Sequence, residues 1–354
     1  MGSYLFYFST ESIAFAKTRC QPDLLYWWCV MHNNSLFQRV FQLFLTLFVV
    51  LSINFALPRL MPGDPVITLL GQDVTVVTNS NLAELRSKYG LDKSLGYQYA
   101  AYWQNLFQGE LGYSSHYRQP VTETIKDHLS WTLALLMPVI AFSTLLATIL
   151  GTFAGWKAGS KLDYTLTLGS LLTYSLPQFL IGMLLLKVFA FELRLFPLGG
   201  LGSGSSDSAL TNFLDTVWHL TLPVLALTIS ATAPKLLVMR NSAAKEQQQD
   251  YITYATAKGL STCRILSVHL LRNACLPLLS LLALNIGFIV SGALVVEIVF
   301  SISGMGTLIY EAAIYRDYPL LQGCFLILTV FVVCINTLAD FLYRIIDPRI
   351  TNPL

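Results

Sequence analysis

Apolar positions along this chain neither alternate nor keep to one helical face; they run on without a charge to interrupt them. Stretches free of Asp, Glu, Lys and Arg occupy Val40–Pro58, Trp131–Trp156, Tyr164–Leu186, Thr216–Pro234, Asn273–Val296 and Tyr318–Ala339, the fourth broken only by His219. About 20 apolar residues cross the hydrocarbon of a bilayer as an α-helix. A helix that is apolar all round is buried or lies in lipid, and helices of a soluble core would be shorter and show a polar face. The pattern predicts six transmembrane helices in an all-α polytopic membrane protein.

Composition agrees. Of 354 residues, 54% are hydrophobic and only 12% charged, with mean hydropathy +0.58. Soluble domains carry about 25% charged residues, so this chain cannot build a full polar shell. Disorder, which needs low hydrophobicity and high net charge, is excluded. With 22 Lys and Arg against 20 Asp and Glu the net charge is +2, and a nucleic-acid partner would require a basic excess. The six cysteines, Cys20, Cys29, Cys263, Cys275, Cys324 and Cys334, show no CxxC spacing, so neither a disulfide nor a metal site is expected.

Short loops on the cytoplasmic side carry the excess of Lys and Arg. One set of flanks holds Arg39, Lys157, Lys161, Lys235, Arg240, Lys245, Lys258, Arg264, Arg272, Arg344 and Arg349; the other holds Lys187, Arg194 and Arg316, the six further Lys and Arg of the long 59–130 segment being exempt from the count. The asymmetry places both termini inside (N-in/C-in). Residues 1–35 form an extension with no run long enough to span, and Met31, followed by a short polar stretch, is a plausible alternative start. The membrane body covers 36–350. Its external segment, 62–130, reads as helix around Leu82–Lys88 and again around Tyr97–Phe107; residues 192–215 read as a Gly/Ser-rich external loop. No internal repeat is visible.

The internal loop 235–272 has a distinct build. Ser242–Lys258 is rich in helix formers, Gly259 offers a C′ residue able to take positive φ, and Ser261 stands where it can cap a second helix entering the fifth span. Helix, tight turn, helix on the cytoplasmic side makes a knob that a soluble partner can grip; a plain amphipathic connector is the alternative reading.

The residues here resemble a known family. Asp250-Tyr251-Ile252, Ala255, Ala257-Lys258-Gly259-Leu260-Ser261, His269-Leu270-Leu271-Arg272-Asn273-Ala274 and Pro277 are similar to the cytoplasmic loop of ABC-importer permeases, more narrowly the first permease of the dipeptide/oligopeptide/nickel group. Pro62-Gly63-Asp64-Pro65, Tyr89-Gly90-Leu91-Asp92-Lys93, Gly109-Glu110-Leu111-Gly112-Tyr113-Ser114, Glu297-Ile298-Val299-Phe300-Ser301 with Gly304 and Gly306, Arg316-Asp317-Tyr318-Pro319 and Asp347-Pro348-Arg349 follow the group's order and spacing. The wider superfamily's Glu-Ala-Ala is here Thr253-Tyr254-Ala255, and its Ile-x-Leu-Pro is His269-Leu270-Leu271-Arg272. Ile302-Ser303 and Ser94-Leu95 also depart from the group.

The resemblance implies an ABC-importer type I permease fold in a bacterial inner membrane. Its implied partners are a second homologous permease, two ABC ATPase subunits and an extracytoplasmic solute-binding protein. ATP and magnesium would sit on the ATPases and no cofactor on this chain, which lacks a GxxxxGK[ST] loop; Gly151–Lys157 is the nearest fragment. The ATPase-coupling residues would be Tyr251, Ala255, Lys258, Gly259, Ser261, Arg264, His269, Arg272 and Asn273. Substrates of the group are di- and oligopeptides, with nickel or metal chelates and oligosaccharides as alternatives. Among intramembrane ionisable groups, Lys187 and Lys235 can snorkel from span ends, Asp340 can pair with Arg344, and Glu297 is a gate or interface candidate. Pro138, Pro177 and Pro223 fall within spans two to four as hinge candidates. A stand-alone secondary transporter would show midplane charges and pseudo-symmetry. An intramembrane hydrolase would show a motif such as HExxH. Neither signature is present.

Overall fold

The structure, a computed structural model, describes residues 36–60, 92–202 and 208–346. The extension with Met31, Pro62-Gly63-Asp64-Pro65, the expected helix around Leu82–Lys88, most of the Tyr89–Lys93 motif, part of the Gly/Ser run and Asp347-Pro348-Arg349 lie outside the described residues, as do the side chains of Asp340 and Arg344.

The described helices of eight residues or more are α1 (Leu36–Leu60), α2 (Leu95–Gln108), α3 (Val121–Trp156), α4 (Lys161–Ser175), α5 (Gln178–Leu185), α6 (Ala209–Glu246), α7 (Asp250–Ala257), α8 (Leu276–Val299), α9 (Met305–Ile314) and α10 (Tyr318–Ile346). A π-helical stretch, Leu186–Glu192, extends α5; another, Ile265–Leu270, lies between α7 and α8. Among the described residues, α3, α6 and the Tyr318–Ile335 part of α10 are long and apolar enough to cross a membrane, and α4 with α5 makes a fourth crossing if the pair is one broken span. The apolar part of α1 is the shorter Leu43–Ala56. The second expected helix of the external segment forms as α2.

Two expectations are corrected. The third apolar run is not one straight helix: α4 and α5 meet at 100°. Pro177 has no N–H to continue the ladder and biases its predecessor away from αR, and Leu176 is extended at φ −91, ψ 133. The proline therefore separates two helices. Pro138 and Pro223, by contrast, lie inside α3 and α6. The second correction concerns the fourth run. It does not end at Pro234, because α6 continues to Glu246 with Pro234 inside it. Lys235 is consequently mid-helix and wholly buried, and it does not snorkel. Its Nζ donates to Ser143 Oγ at 2.7 Å, with Thr144 Oγ1 at 3.5 Å. A buried ammonium needs such acceptors.

Small residues let α3 and α6 approach. A Cβ on Gly151 would lie 2.7 Å from Met239 Cβ, and one on Gly155 would lie 2.5 Å from the Arg240 carbonyl oxygen. These are the glycines of the fragment compared above with a phosphate loop. In the fold they form a small-xxx-small helix contact, the device by which apolar helices pack without a hydrophobic driving force between them. Around this pair lie three buried clusters. One joins Leu135, Val139, Leu222, Leu227, Val296 and Phe300. A second, at the α7 end, holds Met239, Ala243, Ile252, Ala255, Leu266 and Leu270. The third gathers Val121, Ile125, Leu308, Ala312 and Leu320.

Candidate functional site: the α7 knob and its supports

Helix α7 is short and held by its apolar face. Ile252 and Ala255, three residues apart and so on one side, are buried against Met239 and Ala243 of α6 and against Ile265, Leu266 and Leu270. Its end is a Schellman motif: Gly259 N–H donates to the Thr256 carbonyl at 2.9 Å and Leu260 N–H to the Ala255 carbonyl at 3.4 Å, with Gly259 at φ +75. That left-handed backbone is where glycine has no Cβ penalty, and a Cβ there would meet nothing within 4 Å. Conformation, not space, selects glycine. Ser261 occupies the expected N-cap position, although its side chain accepts no capping bond; its carbonyl receives Ile265 N–H at 3.0 Å.

Polar contacts tie the knob at both ends. Tyr251 Oη donates to the Glu246 carboxylate and accepts from Asn273 Nδ2 at 3.0 Å. One phenol thus links the last turn of α6, the first turn of α7 and the approach to α8. Partial burial, then the Glu246 carboxylate, raise its pKa. On the open side Lys258 Nζ lies 4.5 Å from the centre of the Tyr254 ring, and Tyr254 is 63% exposed. Arg264 and Arg272 are exposed and His269 is half-buried. Of the residues expected in this loop, the fold thus joins Tyr251, Ala255, Gly259 and Asn273 in one packed, hydrogen-bonded unit. Lys258, Arg264 and Arg272 are left outward.

A support missed in the sequence lies beside it. Asp163, buried near the start of α4, takes a bidentate pair from Arg240 of α6, with Nη2 to Oδ2 at 2.6 Å and Nε to Oδ1 at 2.8 Å. Gly159 N–H adds a third bond at 2.9 Å. The Ser160-x-x-Asp163 spacing is a helix-start signature and was the only signal available; the partner Arg240 lies 77 positions away. Arg240 stays partly exposed, so removing it leaves only the buried Asp163 without its partner, at a cost of about 1–3 kcal/mol. Arg240→Ala is expected to lower the thermal midpoint of the detergent-solubilised protein clearly, with Arg240→Lys intermediate because it loses the fork. Equal midpoints for wild type and Arg240→Ala would refute the clamp.

At the other end, Glu297 is fully buried and works as a cap. Its Oε2 accepts Gly306 N–H at 2.7 Å and Thr307 N–H at 3.2 Å, and its Oε1 accepts Thr132 Oγ1–H at 2.7 Å. Thr132 Oγ1 in turn accepts Met305 N–H at 2.7 Å. The first N–H groups of α9 are thereby satisfied by a carboxylate from another helix, a favourable charge for that end. A Cβ at Gly304 or Gly306 would lie 2.4 Å or 2.7 Å from the carboxyl group, so the Glu297, Gly304, Gly306 spacing is that of a carboxylate seated on a helix start. Asp317 does the same for α10: its Oδ1 accepts Leu320 N–H at 3.2 Å, and its Oδ2 accepts Ser114 Oγ–H at 2.6 Å and His116 N–H at 3.1 Å. Two motifs distant in the chain, around Gly112 and around Asp317, meet here.

In class, the chain is a helical membrane protein with a short packed helix exposed beyond its longest helix, α6. Residues 147–352 match the family described as binding-protein-dependent transport system inner membrane component, and residues 33–136 match the N-terminal part of such membrane components. The chain is similar to the dipeptide transport system permease protein of Escherichia coli (strain K12), 33% identical over 318 residues covering 85% of this chain and 93% of the relative. It is 34% identical over 322 residues, 87% and 95%, to the di/tripeptide transport system permease protein of Pseudomonas aeruginosa (strain UCBPP-PA14). With the oligopeptide transport system permease protein of Haemophilus influenzae (strain Rd) it is 33% identical over 316 residues, 89% and 98%. The chain belongs to the family of inner-membrane components of binding-protein-dependent transport systems: it is an ABC-importer permease of the bacterial inner membrane, a transport subunit and not an enzyme.

Proposed function

We propose that this chain is one of two permeases in an importer of di- and oligopeptides, with six spans and both termini in the cytoplasm. The peptide reading is supported by the names of the relatives, and the orientation by the Lys/Arg asymmetry. The remaining partners are a second homologous permease, two ATPase subunits that hold ATP and magnesium, and a solute-binding protein outside. Helix α7 is the coupling element, seated in an ATPase groove through Tyr254 and Lys258, with Arg264 and Arg272 facing the same partner. Closure of the ATPases pushes α7, and Ile252 and Ala255 carry the displacement into α6 and toward α8. Pro138 and Pro223 are the hinge positions within α3 and α6. Pro177 marks the joint of the broken third span. Glu297 holds the α8–α9 corner.

The observation that carries the coupling role is the α7 unit itself: an exposed helix fixed on one side by a buried apolar face and at its end by a left-handed glycine. The test is purification of the tagged chain from its native membrane with and without residues 250–261. Intact protein is expected to bring down an ATPase subunit, and the deletion to lose it at equal membrane yield. Retention of the ATPase by the deletion variant would exclude the role. Uptake of a labelled dipeptide by cells lacking and regaining this gene checks the substrate class.

A further inference from the structure

Helix α2 lies in the segment that the hydropathy pattern treats as external and aqueous, yet its fourteen residues, LGYQYAAYWQNLFQ, include no Asp, Glu, Lys or Arg. At 3.6 residues per turn, Leu95, Tyr99, Tyr102, Trp103, Leu106 and Phe107 share one broad face, while Gln98, Gln104, Asn105 and Gln108 share the other. A soluble helix of this kind would bury the whole apolar face. Here Phe55 near the end of α1 covers only part of it, through Tyr99 at 5.1 Å and Tyr102 at 5.5 Å between ring centres. Trp103 leads outward to Phe107, 5.9 Å away, and Phe107 is 80% exposed; Leu95 is 66% exposed.

The depth of this face follows from its contacts. Phe55 belongs to the charge-free run of α1 and Arg59 ends that run, so this turn of α1 lies where hydrocarbon gives way to water. Arg59 spreads over the Phe55 ring at 3.5 Å and donates from Nη2 to Gln98 Oε1 at 2.8 Å. Lys93, just before α2, lies 4.2 Å from the ring centre of Tyr97, which shares the glutamine face, so this pair belongs to the water side of the helix. Aromatic side chains with neighbouring cations are the groups that settle at the headgroup level, the rings toward the acyl chains and the cations toward the phosphates.

We infer that α2 is an interfacial helix, lying flat on the outer leaflet with Phe107 and Leu95 in the lipid and its glutamine face in water. The apolar end of α1 at Phe55 thereby continues sideways along the membrane surface, and Arg59 meets lipid phosphates. The inference rests on α1 crossing the bilayer as proposed above.

The test places p-benzoyl-phenylalanine at position 107, at 105 on the opposite face of α2, and at 142, an exposed position of the apolar helix α3, in the full-length protein in native membranes. After irradiation, mass spectrometry is expected to find phospholipid adducts at 107 and 142 and at least tenfold fewer at 105. Lipid adducts at 142 but none at 107 would overturn the inference and leave the membrane topology standing. A polypeptide adduct at 107 would also overturn it, by making α2 a docking face for another protein. Equal lipid labelling at 105 and 107 would overturn the flat orientation.

Discussion

Replacing Gly259 with proline or glutamate is expected to abolish transport while leaving the chain inserted at normal levels. The residue sits at φ +75. Proline locks φ near −65°, which would remove the Schellman bonds from Gly259 and Leu260 and detach the end of α7 from Ser261. Glutamate can fit sterically, since nothing lies within 4 Å of the Cβ position, but it pays about 1–2 kcal/mol for a left-handed backbone and adds a negative charge beside Lys258. Gly259→Asn separates the two causes: asparagine visits the left-handed region readily, so this variant should retain most uptake. The measurement is dipeptide uptake at matched membrane abundance, together with substrate-stimulated ATPase activity of the assembled complex. Normal coupled activity in Gly259→Pro would refute the mechanical role of the turn.

Glu297→Ala should produce a large loss of stability. The substitution deprives Gly306 N–H, Thr307 N–H and Thr132 Oγ1–H of their acceptor in a fully buried place. It also leaves a void. Unsatisfied buried donors cost about 1–3 kcal/mol each, and the cavity adds to that, so folded protein in detergent extracts should fall severely and the thermal midpoint with it. Glu297→Gln keeps one acceptor oxygen and the volume, and is expected to fall between. The pair distinguishes a cap from a gate. A cap predicts that uptake per folded molecule in Glu297→Gln stays near wild type, whereas a gate predicts lost uptake at unchanged thermal midpoint, and that result would overturn the structural role described here.

Several sequence features acquire different meanings once the chain is folded. Gly151 and Gly155 stood out only as a failed phosphate loop, but they are the contact that lets α3 and α6 touch. Pro177 and Pro223 looked alike as prolines within apolar runs. One separates two helices at 100° and the other is absorbed in α6, because α6 is enclosed by α3, α4 and α8 over much of its length while Leu176 stands in an extended joint. Lys235 looked like a span-end residue because the charge-free run stops there. It is buried because α6 does not stop.

The amino-acid sequence by itself determined the class of protein: the charge-free runs are a local property of composition, and a bilayer reads composition directly. It also determined the turn at Gly259, because a left-handed C′ residue is chosen by backbone energetics within a few positions. Which residues meet across the chain was decided by the tertiary structure alone. Asp163 with Arg240, Glu297 with Thr132 and the start of α9, and Asp317 with Ser114 are pairs of ordinary residues whose significance comes from burial. In sequence Asp163 is an unremarked polar position and Glu297 a candidate without a partner; each becomes a structural element only when folding removes water from it and supplies donors from another helix.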